Sequence, residues 1–183
     1  YQRGDGVEVD YAKAKQYYEQ AIANECVEAN NGLGDLYQHG YEVEQDGAKA
    51  IEYFTLASQG NEKDWVAYAH LSAGVIYAGK YPNVTQDYAK AMENYEKAAA
   101  LDNANALNRI GVMYADGIGV EQDYTKAMEY YERASALNNS DAMANMGIIY
   151  YNGFGGFEQD YGKAVEWYEK AAALDNARAM NSI

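Results

Sequence analysis

Apolar and polar positions recur along this chain in units of about 36 residues. The string Asp-(Tyr/Gly)-x-Lys-Ala begins at five places: Asp10, Asp46, Asp87, Asp123 and Asp160. The intervals between them are 36, 41, 36 and 37 residues, and the extra residues fall between helix-sized segments. Repetition at such a period is typical of arrays of stacked structural units. We therefore read the chain as a set of equivalent units, each holding two helices.

Helix A, the first helix of a unit, is predicted over 106–115 in the fourth unit and 142–151 in the fifth. Ala106, Ile110 and Tyr114 lie at i, i+4 and i+8, so they form one apolar stripe. A glycine recurs inside this helix: Gly34, Gly74, Gly111 and Gly147. Because glycine costs a helix about 1 kcal/mol relative to alanine, its recurrence predicts a close approach of another helix.

Helix B starts at the repeated aspartate, near residues 10, 46, 87, 123 and 160. A carboxylate at that position caps the first amides and favours the helix dipole. The predicted buried side in the fourth unit consists of Ala127, Tyr130, Tyr131 and Ala134. On the exposed side, acid–base pairs four residues apart are predicted for Glu93 with Lys97, Glu129 with Arg133, and Glu166 with Lys170.

The loops from helix A to helix B contain glycines where a tight turn needs a positive φ. These are Gly4 and Gly6, Gly40, Gly117 and Gly119, Gly153 and Gly155. Two loops depart from the pattern, since the second reads Gly40-Tyr41-Glu42-Val43 and the third runs from Gly79 to Val84. In those two loops the sequence does not predict the backbone conformation of the turn.

The repeated pattern resembles the Sel1-like repeat, a relative of the tetratricopeptide repeat. The segment from Ile110 to Ala127 matches it nearly throughout, and in-phase copies cover almost the whole chain. The resemblance implies an all-α, right-handed α/α superhelical solenoid of antiparallel helix pairs. On this basis residues 1–183 form a single array of about five units, truncated in helix A at both ends.

Composition excludes several classes of partner. The chain has 183 residues, and its 14 Lys and Arg against 28 Asp and Glu give a net charge of −14. Such a charge repels nucleic acid and anionic membrane at long range. The longest apolar runs, such as 98–101 and 112–115, are far shorter than the roughly 18 residues that span a bilayer. No membrane insertion is predicted, and most of the acids are assigned to a solvated repeat face.

The excess of tyrosine follows from the repetition. Sixteen of the 20 tyrosines occupy recurring positions predicted to be core, in helix A, after the capping aspartate or in helix B. The tyrosines left over as candidates for recognition are Tyr41, Tyr68, Tyr81 and Tyr151.

Motifs that carry chemistry are lacking. The sequence has no Walker string, no His-Glu-x-x-His, no Cys-x-x-Cys and no Ser-x-x-Lys. His70 is predicted to be a core histidine, equivalent to Leu107 and Met143. Cys26 stands where other units have an asparagine before helix A. We therefore expect no catalytic residue, no cofactor and no metal site.

The surface that the repeat leaves variable lies on helix A. Residues three before, one after and four after its glycine share a face that lines the concave groove in related helical repeats. The predicted partner-binding residues are Asn31, Asp35, Gln38, Leu71, Val75, Asn108, Val112, Ala115, Ala144, Ile148 and Tyr151. The alternative is that Val75, Val112 and Ile148 are covered by neighbouring helices.

The resemblance implies a non-catalytic scaffold or adaptor that binds a protein or a peptide. The acidity favours a neutral or basic partner segment. The alternative is a bacterial cell-envelope binder or hydrolase, similar to the Cys-rich Sel1-like proteins linked to β-lactams. Those proteins carry paired cysteines, whereas this chain has Cys26 alone. The sequence does not decide between a cytoplasmic protein and, if a leader was removed, a periplasmic or secreted one.

Overall fold

The computed structural model describes residues 9–182, and within them every regular element is helical. The helices are α1 Tyr11–Ala23, α2 Asn30–His39, α3 Gly47–Ala57, α4 Lys63–Ala78, α5 Tyr88–Ala99, α6 Ala104–Asp116, α7 Tyr124–Ala136, α8 Ser140–Asn152, α9 Tyr161–Ala172 and α10 Ala177–Met180. Short 3₁₀ turns lie at Val27–Ala29 and Phe154–Gly156. The predicted Gly4 and Gly6 lie outside the described residues.

The chain divides into two compact parts, each holding more than one repeat. From here on, the first unit means residues 1–101 and the second unit means residues 102–183, and the single helix pairs are called repeats. In the first unit α2 packs on α3 and α4 packs on α5, while α1 packs on α2 and α3 on α4. In the second unit α6 packs on α7 and α8 on α9, with α7 against α8 and α10 against α9. Each helix therefore packs mainly on its neighbours in the chain, which confirms the all-α class of consecutive helix pairs. The prediction of a single array over 1–183 stays a prediction.

The two helices of a repeat are antiparallel. The amide of Asp123 at the start of α7 donates to the carbonyl of Tyr114 near the end of α6, at 2.8 Å. Tyr131 lies eight residues after Asp123 in α7, and its ring packs on Gly111, which lies three residues before Tyr114 in α6. Later residues of α7 therefore contact earlier residues of α6, so the two helices run in opposite directions. Equivalent amide–carbonyl bonds join Asp46 to Tyr37, Asp87 to Tyr77, and Asp160 to Tyr150.

The repeated aspartate caps helix B wherever it occurs in the described chain. At Asp123 the carboxylate accepts a hydrogen bond of 3.0 Å from the amide of Lys126. The same bond, from the lysine amide three residues on, lowers the pKa of the Asp10 and Asp46 carboxyls below its usual value. The predicted starts of helix B are therefore confirmed by the geometry of the caps.

The recurring helix A glycine receives an aromatic ring of helix B from the same repeat. A Cβ added at Gly111 would lie 2.5 Å from Cε1 of Tyr131, far inside van der Waals contact. Gly147 receives the ring of Tyr168 in the same way. The predicted close approach of a second helix is confirmed, and the approaching group is an aromatic ring.

The second glycine of the loop is replaced without loss of the turn. Gly119 has a φ of 70°, and the residues standing at its place in the second and third loops, Glu42 and Asn83, have φ values of 56° and 63°. Asparagine tolerates this left-handed region better than most residues, whereas glutamate is uncommon there. The second turn position is therefore left-handed in both loops. The third loop nevertheless begins differently, because Gly79 has a φ of −93° where Gly40 and Gly117 have φ values of 73° and 67°.

Two of the three predicted acid–base pairs are wrong. Lys97 Nζ lies 2.7 Å from Glu93 Oε1 as predicted. Arg133 lies instead over the ring of Tyr130, and Lys170 Nζ lies 3.8 Å from the ring centroid of Trp167. A flat aromatic face one turn away competes with the carboxylate for the cation.

Several tyrosines predicted to be core are at the surface. Tyr17 and Tyr161 are 53% and 56% exposed, and Tyr88 is also exposed. Tyr88 and Tyr161 are the first residues of their helices, where the chain has only begun to turn towards its neighbour. Tyr130 is partly buried, whereas Ala127, Tyr131 and Ala134 are buried as predicted.

Candidate partner-binding face

We call the eleven predicted partner-binding residues of helix A the helix A face. In the first unit it was predicted to start with Asn31 and Asp35 on α2. Asn31 is buried, and its Nδ2 donates to the carbonyl of Trp65 at 3.2 Å. Asp35 is partly buried and accepts a hydrogen bond of 2.6 Å from the hydroxyl of Tyr68. Both polar groups therefore bind the chain itself.

The rest of the face in the first unit is partly covered. Gln38 is buried, with its Nε2 3.4 Å from the hydroxyl of Tyr81. Leu71 and Val75 on α4 are partly buried. The burial of Asn31 and Gln38 removes two predicted residues from the surface that a partner can reach.

In the second unit the face is more accessible at its far end. Tyr151 at the end of α8 is 49% exposed, with its ring 5.2 Å from that of Tyr161 in an edge-on arrangement. Val112 and Ile148 are partly buried, and Ile148 packs against a core cluster that includes Met143. A partner can therefore reach about half of Tyr151 and a smaller part of each aliphatic side chain.

Two of the predicted residues in the second unit are buried. Ala144 is fully buried and Ala115 is 8% exposed. Ala144 packs in the core cluster that includes Met143, and because both alanines are buried neither offers area to a partner. The periodicity grouped them with exposed helix A positions but could not show how closely the rest of the chain packs on them.

A row of hydrogen bonds crosses the second unit beside these residues. Nδ2 of Asn145 donates to Oδ1 of Asn108 at 3.0 Å, which links α8 to α6. Arg178 Nη2 donates to Oδ1 of Asn145 at 2.8 Å, which links α10 to α8. Asn145 and Arg178 were missed by sequence reasoning, because they occupy two helix A positions at which the residue type varies between repeats.

The asparagine before helix A joins one repeat to the previous one. Oδ1 of Asn139 caps α8 by accepting from the amide of Ala142 at 2.8 Å, while its Nδ2 donates to Asn105 Oδ1 at 2.8 Å. Asn176 repeats this, capping α10 and donating to Asp141 at 2.9 Å. The recurrence of asparagine at this place was the available signal, and its second role was not read from it.

The four tyrosines left for recognition divide into two pairs. Tyr68 and Tyr81 are partly buried in the first unit, where both pack against the core cluster of α3 and α4. Tyr41 and Tyr151 are exposed, and the Tyr41 ring stacks on Tyr11 with 4.3 Å between centroids. Of the pairs, only the second presents aromatic surface to solvent.

His70 and Cys26 do not form a reactive pair. His70 is partly buried, so the prediction of a core position is only partly right, and its Nδ1 lies 3.3 Å from Asn94 Oδ1. Burial lowers the pKa of the His70 imidazole below its usual value. Cys26 is exposed, and its Sγ lies 3.7 Å from Glu28 Oε2.

Between residues 9 and 182, no three His, Cys, Asp or Glu side chains are arranged to hold a metal ion. In the same part of the chain, no helix combines the length and the apolar character needed to cross a bilayer.

The chain was compared with known protein families and with solved structures. The Sel1 repeat profile matches five segments of the chain, 1–26, 27–62, 66–103, 104–139 and 140–176. No curated protein matches the chain.

Solved structures are similar over nearly the whole chain. A Sel1 repeat protein from Oxalobacter formigenes is 33% identical, with a TM-score of 0.82, over 99% of this chain and 71% of that one. A protective antigen of uropathogenic Escherichia coli strains that displays an SLR fold is 31% identical, with a TM-score of 0.79. The match covers 97% of this chain and only 37% of the antigen. Helicobacter pylori cysteine rich protein B is 27% identical, with a TM-score of 0.56, over 79% of this chain and 99% of that one.

Proposed function

The chain belongs to the Sel1 repeat family, and from this premise we propose that it is a non-catalytic scaffold that binds a protein or peptide segment through its helix A face. Proteins of this family are generally protein-interaction scaffolds. The observation that carries the proposal is Tyr151, a half-exposed aromatic ring at the end of α8. Ile148, one turn earlier on α8, and Val112, at the equivalent position of α6, are partly exposed.

The proposed contact surface is the helix A face of the second unit. It consists of Tyr151, Val112 and Ile148 as apolar anchors and Asn108 as a polar one. Aromatic side chains that are preorganised and accessible contribute a large share of binding energy at protein interfaces. The hydrogen bond from Asn145 fixes the Asn108 amide, so its remaining groups can meet a partner backbone at little entropic cost.

The first unit contributes less under this proposal. Asp35 is held by Tyr68 and only Leu71 and Val75 offer partial apolar area. The net charge of −14 steers a neutral or basic partner towards the chain and speeds association at low salt.

The experiment selects peptides from a random phage-displayed library on the immobilised chain and measures their affinity by calorimetry. Tyr151→Ala and Val112→Asp are compared with the parent, and Tyr88→Ala serves as the matched control because it removes an exposed helix B tyrosine. We expect Tyr151→Ala to weaken binding at least about fivefold, which corresponds to the roughly 1 kcal/mol that marks an important interface residue. Equal affinities for the parent, Tyr151→Ala and Val112→Asp would contradict the proposal, provided that both variants melt like the parent.

The alternative is an envelope binder or hydrolase like the cysteine-rich relatives. The similarity to Helicobacter pylori cysteine rich protein B favours it, while the presence of Cys26 as the only cysteine disfavours it. Incubation with the chromogenic β-lactam nitrocefin separates the two. Under the scaffold proposal the hydrolysis rate equals that of buffer, and turnover above buffer would support the alternative.

A further inference from the structure

A cleft in the first unit lies between the B helices of two neighbouring repeats. It has a volume of about 290 Å³ and opens between α3 and α5, with α4 behind it. Its inner lining includes Phe54, Ala73 and Tyr77, while Lys90 and Asn94 lie on α5 at its edge. None of these residues belongs to the helix A face.

The cleft exists because the third repeat lacks an aromatic ring that the others have. Asn94 occupies the seventh position after the capping aspartate, where the other repeats carry Tyr17, Tyr53, Tyr130 and Trp167. The ring of Tyr53 stacks on Tyr37 with 5.5 Å between centroids. The ring of Tyr130 stacks on Tyr114 with 5.8 Å between centroids.

Tyr77 is the equivalent helix A tyrosine of the third repeat, and it lacks this ring partner. Lys90 lies over its ring at 5.4 Å, as Lys49 lies over Tyr37 at 5.2 Å. Tyr37 has both a lysine and an aromatic neighbour, whereas Tyr77, within residues 9–182, has the lysine alone.

A second substitution enlarges the same cleft. The residue before the helix A glycine is Ala73 in the third repeat, where the other repeats have Leu33, Ile110 and Met146. Two independent changes to smaller side chains therefore meet in the lining of one cleft. Core positions of natural proteins are normally filled to high density, so the paired reductions leave room for an added group.

We propose that this cleft is a second binding site, which takes a tyrosine side chain of a partner protein in the place that Tyr53 and Tyr130 fill in their own repeats. The occupant stacks on Tyr77 and covers Phe54 and Ala73. The stacked arrangement that Tyr37 and Tyr53 show is one that aromatic pairs favour beyond the area they bury.

The polar lining suits a phenol better than a plain hydrocarbon ring. Asn94 Oδ1 lies 3.3 Å from His70 Nδ1, and Asn94 Nδ2 donates to the Lys90 carbonyl at 2.9 Å. Because burial keeps the pKa of His70 below its usual value, the imidazole is neutral near pH 7 and adds no charge to the cleft. The Glu93–Lys97 ion pair at the rim balances its own charges. Lys90 Nζ, which also lines the cleft, lies 3.8 Å from Asp87 Oδ2. A hydroxyl thus meets hydrogen-bonding groups without facing an unpaired charge.

The test uses N-acetyl-L-tyrosinamide as the probe and records amide chemical shifts of the full chain. We expect shifts that saturate in the millimolar range and centre on Ala73, Tyr77 and Asn94. N-acetyl-L-leucinamide is the control ligand, and we expect it to shift these residues weakly.

Two variants close the cleft in different ways. Asn94→Tyr supplies the chain's own ring, so the shifts should be lost, and Ala73→Ile fills the floor as Ile110 does, so the affinity should fall at least about fivefold. Thr125→Tyr adds a tyrosine at an exposed position of α7 and should bind like the parent. If Asn94→Tyr does not fold, Ala73→Ile decides the question.

The proposal is overturned if both closing variants bind the probe like the parent. It is equally overturned if the leucine control shifts the same residues as strongly, or if no shift appears at about 10 mM probe, a concentration that would nearly saturate a site with the expected Kd of about 1 mM. The site does not depend on the helix A face, and Tyr151→Ala should leave the probe affinity unchanged. Failure here and failure of the proposed scaffold function are therefore distinguishable.

Discussion

At the scale of single residues, the packing of an aromatic ring on a glycine sets the distance between the two helices of a repeat. Tyr131 on Gly111 and Tyr168 on Gly147 leave no space for a Cβ. The glycine costs helix propensity, but it lets a buried ring pack directly against the helix. Its recurrence is thus a packing requirement of the repeat.

We predict that Gly111→Leu lowers the free energy of unfolding by about 2 kcal/mol or more, because the new side chain must displace the Tyr131 ring. The matched control is Gly162→Ala on the exposed start of α9, where three other repeats have alanine. That change should be neutral or stabilising by a few tenths of a kcal/mol. Urea unfolding measures both, and equal midpoints for Gly111→Leu and the parent would contradict the packing argument.

The partly buried imidazole of His70 should make stability depend on pH. Burial lowers its folded pKa below the ordinary 6.5, a tendency that Lys97 reinforces and that Asn94 and Glu93 oppose. Below about pH 6.5 the unfolded chain binds more protons than the folded chain, so the free energy of unfolding falls as the pH drops and levels off below the folded pKa. We expect the parent to lose more stability than His70→Gln between about pH 7.5 and 5.5. Equal losses in urea unfolding would show that His70 is not the group responsible.

At the scale of elements, local signals predicted most of the fold. The capping aspartates predicted the start of every described helix B, because an N-cap acts on an amide only three residues away. The glycines of helix A predicted a close approach of the second helix, and the structure shows Tyr131 and Tyr168 packed there.

What the sequence could not predict depends on contacts between repeats. Ala144 and Gln38 share the periodicity of exposed residues, yet both are buried. The bonds from Asn145 to Asn108 and from Arg178 to Asn145 depend on residue pairs that the repeat pattern does not preserve. A partner therefore cannot reach all of the predicted helix A residues, and the binding role of the others stays a prediction.

The asparagine before helix A gives a prediction for the junction between repeats. Asn139→Ala loses both the cap on α8 and the hydrogen bond to Asn105, so it should cost about 2 kcal/mol, roughly 1 for each role. Asn139→Asp keeps the capping oxygen and loses the donor, so it should cost about half as much. Urea unfolding of the two variants measures the difference, and equal destabilisation would mean that the bond to Asn105 contributes nothing.

At the scale of the whole molecule, each helix buries its apolar side mainly on its neighbours in the chain. Repeat proteins of this kind open locally, and terminal elements open first. Hydrogen exchange should therefore show α1 opening before α3 and α4 in the first unit, and α10 opening before α7 and α8 in the second. A single opening free energy for every helix of a unit would contradict this expectation.

The proposed scaffold function rests on where a partner binds, and the most direct measurement is a map of amide shifts with a bound peptide. A peptide selected on the Asn94→Tyr variant is suitable, because the cleft of the first unit is then filled. We expect saturable shifts centred on Asn108, Val112 and Tyr151. Shifts centred on the loop at Tyr41, on Tyr81 or on the exposed side of the B helices would contradict the helix A face as the binding surface.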